Sequence, residues 1–159
     1  MPLLVILSRW LHIVSACLAI GGFFFFRLVL PRGLAILEPD LQTAVLLKTR
    51  RTFKMVIHSC ILLLLVTGVF NSIIGLRTYN LNPPVLHTLL GIHVLLAMVA
   101  FGVALYVLVG PRPPPSHRKL VALNLVLLLL AVAAASTLKW ASQKIITAHL
   151  TNTSVTDSR

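Results

Sequence analysis

The chain has 159 residues, of which 58% are hydrophobic and only 11% charged, where a soluble domain carries about 25% charged residues. Its formal net charge is +11, from 14 Lys and Arg against 3 Asp and Glu. The first balance excludes a soluble globular fold. The basic residues sit at helix ends and in short loops, which excludes a nucleic-acid binder.

Taken in chain order, the first apolar block runs from Leu3 to Leu30. It has no basic stretch before it and is too long for a cleaved signal peptide. Residues Pro31 to Thr52 follow as a loop. Within it Leu34, Leu37, Leu41, Val45 and Leu46 recur at near-helical spacing, with Glu38, Asp40, Gln42 and Lys48 between them. That pattern predicts a short amphipathic helix at the membrane surface. The second block is Phe53 to Ile74, and Tyr79 to Pro84 is a turn signal. The third block, Val85 to Val109, ends at the stiff segment Gly110 to Ser116. The fourth is Leu120 to Leu138, and a polar tail follows Thr147.

Each block approaches or exceeds the roughly 20 residues that carry a helix across about 30 Å of hydrocarbon. Backbone groups in lipid need partners within their own segment, so helices are expected. Runs such as Ile61 to Leu65 do not alternate, which excludes a β-barrel. The expectation is an all-α protein, an integral membrane four-helix bundle with spans at about 3–30, 53–76, 84–109 and 118–140. They form a single domain over 1–150, with 151–159 disordered. Arg32, Lys48, Arg50, Arg51 and Lys54 lie between the first two blocks, and Arg112, Arg118 and Lys119 between the last two. The positive-inside rule puts those loops in the cytoplasm and both termini on the outer, periplasmic side of a bacterial-type inner membrane. Lys139 and Lys144 run against this bias. Cys17 and Cys60 read as small packing residues.

Chemistry in such a protein is sought among ionisable residues inside the spans. No Asp or Glu lies in any block, which argues against a carboxylate-based ion path. His12 on the first span and His93 on the third form the sharpest pair. These spans run parallel in an alternating topology. The two histidines stand 18 and 16 residues from the ends near Leu30 and Val109, about 27 and 24 Å at 1.5 Å per residue. Small residues share their faces: Ala16 and Ala19 follow His12, and Ala97 and Ala100 follow His93. Such faces let helices pack closely, or leave room for a flat macrocycle. Two neutral imidazoles are the usual axial ligands of a low-spin haem b. Arg9, one turn before His12, is placed either to meet a haem propionate or to snorkel to headgroups. His58, near Lys54, lies too far from the pair to share its metal. It is open to a second haem, a quinone, a proton path or simple hydrogen bonding. His87 at the start of the third span is a further candidate near the same site. His117 and His149 read as loop and tail residues.

The stretch Arg9-Trp10-Leu11-His12 through Gly21-Gly22 to Arg27 resembles the first helix of the CopD and HemJ-like membrane proteins. Arg50-Arg51, Thr67-Gly68 and Ala122-Leu123-Asn124 are similar to that family as well. The resemblance implies a four-helix unit. In the HemJ branch such a unit binds haem b and oxidises protoporphyrinogen; in the CopD branch it is linked to copper handling. The family histidine of the first helix maps to His12. The HemJ branch carries a lysine where this chain has His93, a departure that turns the site toward bis-histidine ligation and electron transfer.

The leading expectation is a haem b membrane protein that transfers electrons, with His12 and His93 as ligands and Arg9, Ala16 and Ala97 around them. Its partners are the lipid bilayer and a quinone or redox protein, in an oligomer or a larger membrane complex. Three alternatives stand beside it: a copper transport or handling protein using His12, His93, His87 and Met98; a protoporphyrinogen oxidase-like enzyme; and a cofactor-free structural subunit.

Overall fold

The computed structural model describes residues 2–79, 84–109 and 117–156. Among them, helix α1 (Pro2–Phe24) passes through a π turn (Phe25–Val29) into α2 (Leu30–Leu34). Three helices follow: α3 (Pro39–Tyr79), α4 (Pro84–Val109) and α5 (His117–Thr156). Four helical stretches, Leu3–Leu34, Pro39–Arg77, Pro84–Val109 and Lys119–Ile145, are long and apolar enough to cross a membrane, with mean hydropathy of 2.2 to 2.5 in their apolar windows. Their outer faces carry large apolar side chains such as Ile13, Leu62, Val66 and Leu95, each exposed by 61% or more. Such faces suit lipid rather than water, so this is a multi-pass membrane protein.

Helices end where backbone chemistry ends them. Residues 39–52 do not form a separate surface helix; they are about the first four turns of a 41-residue α3. After Pro39 nothing in this segment breaks a helix, and Lys, Arg, Leu and Gln are good helix formers. The break falls between Leu34 and Pro39, with Pro39 opening the new helix. Likewise α5 is 40 residues long and continues past Thr147 to Thr156, because 117–156 contains neither Gly nor Pro. The expected turns at 80–83 and 110–116 lie outside the described residues, as do the side chains of His117 and His149.

The π turn also has a local cause. Pro31 has no N–H to give the Arg27 carbonyl, and its ring presses on that carbonyl. The backbone widens instead, and the Leu30 N–H reaches the carbonyl of Phe25. The Arg32 guanidinium then donates to the Leu28 carbonyl at 2.8 Å.

Packing divides the bundle into two pairs. Helix α1 lies along α3 and α4 along α5, and the pairs meet more sparingly. Gly22 lets α3 approach: a Cβ there would stand 2.8 Å from the Phe53 ring. Phe53 in turn stacks on Phe26 and meets Phe23 edge-on. The deepest layer takes one residue from each span: Phe23, Ile57, Ala100 and Asn124, all 1% exposed or less. Ile57 and Ala100 each lie seven residues from the Arg50–Val107 hydrogen bond, and Ala100 and Asn124 each seven from the His93–Ala131 bond, so these three are level. Buried residues thin out toward the end that carries Trp10 and Trp140. Beyond Ser15 in α1, Thr67 in α3, Ala100 in α4 and Ala131 in α5, none of the described residues toward that end is buried. At that end Lys144 sits 4.9 Å over the Trp140 ring.

Candidate functional site

His12 and His93 stand where the core thins, one in each helix pair. His12 projects from α1 onto α3, and its Nδ1 lies 2.9 Å from the Thr67 hydroxyl. That hydroxyl has one proton and donates it to the Leu63 carbonyl. The bond from His12 therefore runs from Nδ1–H to Thr67 Oγ1. His93 on α4 has its Nδ1 2.9 Å from the Ala131 carbonyl on α5. A carbonyl only accepts, so His93 also carries its proton on Nδ1. Donor counting thus assigns both imidazoles the same tautomer. Both rings are thus held through Nδ1, and in that tautomer Nε2 is the nitrogen that can meet a metal.

Gly68 completes the seat of His12. A Cβ at Gly68 would stand 3.3 Å from His12 Cε1, so a larger residue would press on the ring. The Arg50–Val107 bond joins α3 to the end of α4. Thr67 lies 17 residues beyond Arg50, and His93 lies 14 before Val107. Both imidazoles therefore lie on the same side of that bond, 17 and 14 residues along α3 and α4.

Small and polar residues surround the pair. Ala16 and Ala97 are half-buried against the core. Ser15 is 2% exposed. Ser8, one turn before His12, and Asn71, one turn after Thr67, each leave a buried side-chain oxygen without a partner. Arg9 and His87 are exposed at the same end. Among the described residues no group of three or more His, Cys, Asp or Glu gathers to hold a metal ion. Two imidazoles alone would fill only part of a metal's coordination shell.

His58 stands apart on α3, nearer the basic end, with Nδ1 2.6 Å from the Lys54 carbonyl. Thr67 is the partner that sequence reading did not supply for His12. Its spacing on α3 marks it as interhelical, but nothing local says which helix it meets 55 positions away. Ala131 offers no side-chain signal at all, because it acts through its carbonyl.

Neither a family model, a curated protein nor a solved structure matches this chain.

Proposed function

We propose that this protein is a haem b electron carrier of the membrane, with His12 and His93 as its axial ligands. The observation that supports this reading best is the shared tautomer. Two imidazoles from different helix pairs are each held through Nδ1 by a protein oxygen, the arrangement that would turn Nε2 to a metal. A two-nitrogen donor set suits a porphyrin iron, whose ring supplies the other four ligands, better than copper, which would take all its ligands from the protein. Bound haem would supply a one-electron couple that keeps both ligands through the cycle. Thr67 and the Ala131 carbonyl orient the imidazoles and raise their basicity. Ala16, Ala97 and Gly68 leave room, and the unpartnered oxygens of Ser8 and Asn71, with Arg9 nearby, offer polar contacts at the ring's edge. In this reading the site lies in the outer half of a bacterial-type inner membrane, where a quinol or a redox protein exchanges electrons.

The test is an absorbance spectrum of the protein purified from haem-replete cells. A Soret band and a reduced-minus-oxidised α band are expected, both lost when His12 and His93 are replaced by Ala. Absence of the band, or its survival in the double variant, refutes haem ligation here. Copper found without iron would move the reading to metal handling.

A further inference from the structure

The chain has 14 Lys and Arg and only 3 Asp and Glu, so most of its cations have no carboxylate available in the same molecule. They are not evenly spread. Arg51, Lys54, Met55, His58 and Ser59 line a groove of about 490 Å³ on α3. Their spacing of three, four and seven residues puts Arg51, Lys54, Met55 and His58 on one face. That face is not the one α3 turns to α1, which carries Phe53, Ile57, Cys60, Leu64 and Thr67. Lys54 and His58 are half-buried rather than free in solvent. His58 is tied by Nδ1 to the Lys54 carbonyl, which fixes its ring at the wall of the groove. The groove also lies where the basic first turns of α3 give way to its apolar span, the height at which lipid phosphates sit beside a spanning helix.

We propose that this groove binds a phosphate group, with Arg51 and Lys54 supplying the charge and Ser59 a hydroxyl donor. The chemistry is shared by an anionic phospholipid headgroup and by free phosphate. Two cations at a membrane surface attract such a group by about 1 kcal/mol each, so losing both weakens binding by about 30-fold. The site is independent of the histidine pair and stands or falls without it.

The test titrates the detergent-purified full chain with short-chain phosphatidylglycerol, phosphatidylcholine and inorganic phosphate, reading bound ligand by native mass spectrometry and calorimetry. Phosphatidylglycerol is expected to bind more tightly than phosphatidylcholine. R51Q/K54Q should weaken it about 30-fold, and R32Q/K119Q, which removes equal charge from the same end outside the groove, should leave it unchanged. Inorganic phosphate binding at least as tightly, with the same mutational pattern, assigns the site to a free phosphate. The proposal is overturned if neither probe binds, if R51Q/K54Q leaves binding intact, or if R32Q/K119Q weakens it equally, which would mean diffuse attraction without a site.

Discussion

Replacing Thr67 by Val isolates the bond that orients His12. The two side chains have nearly the same shape, so packing at this 6%-exposed position is kept. What disappears is the oxygen that accepts from His12 Nδ1 at 2.9 Å. Thr67's own bond to the Leu63 carbonyl is lost too, but such back-bonding within a helix contributes little. A buried N–H without a partner costs about 1–3 kcal/mol. Interhelical hydrogen bonds in membranes average about 0.6 kcal/mol, because the ring finds other partners as it relaxes. The expected loss of bundle stability is therefore about 1 kcal/mol. If His12 ligates haem as proposed, the effect on ligation is larger: removing an outer-shell partner of a ligating histidine lowers affinity by about 10- to 100-fold. Both are measurable, the first by reversible unfolding in mixed micelles and the second by the rate at which an apo-globin strips haem from the protein. Thr67→Ser keeps the oxygen and should behave like the parent in both assays. If Thr67→Val also matches the parent, the hydroxyl does not hold the imidazole. If Ser and Val are equally damaging, the methyl group matters as much as the hydroxyl.

Gly68→Ala places a methyl 3.3 Å from His12 Cε1, so the ring must shift by a few tenths of an ångström. A stability loss under about 1 kcal/mol with a displaced Soret maximum is expected, and an unchanged spectrum would show that the seat is loose. Gly22→Ala brings a Cβ to 2.8 Å from Phe53. That ring must turn out of its stack on Phe26, at a cost of about 1–3 kcal/mol in the same unfolding assay. Asn124 is fully buried and both its amide atoms are unpartnered, so Asn124→Leu should stabilise the bundle by about 1 kcal/mol; clear destabilisation would reveal an internal partner such as water. Arg50→Met removes the guanidinium from the Val107 carbonyl at the end of α4 and should cost about 1 kcal/mol, with no change at the histidine pair; altered haem binding would mean that the alignment of α3 and α4 reaches the site.

Hydropathy found all four spans, because apolar blocks of this length have few other uses. It did not find where the helices stop. Apolar composition reports where lipid ends, whereas a helix ends at Pro, Gly or a competing cap. Hence residues 39–52, basic and polar, continue straight into the second span, and α5 runs on past Thr147. The π turn was hidden for a different reason: it needs the Pro31 ring and the Arg27 carbonyl considered together, and no periodicity marks it. At the candidate site the histidines stood out as ionisable groups in apolar surroundings. Their partners did not stand out. The Thr67 oxygen is one of several hydroxyls on apolar helices, and a backbone carbonyl is the same at every position. The groove at Arg51 and Lys54 was visible only as loop charge until α3 became one continuous rod.

The division into α1 with α3 and α4 with α5 makes each half a helical hairpin of consecutive spans, closed by its own imidazole. Sliding or parting one hairpin against the other breaks neither histidine's anchor. Each half therefore carries its own anchored ring whatever the spacing of the two. The distance between the hairpins, rather than the pose of either ring, is then the variable through which the rest of the bundle would tune whatever lies between them.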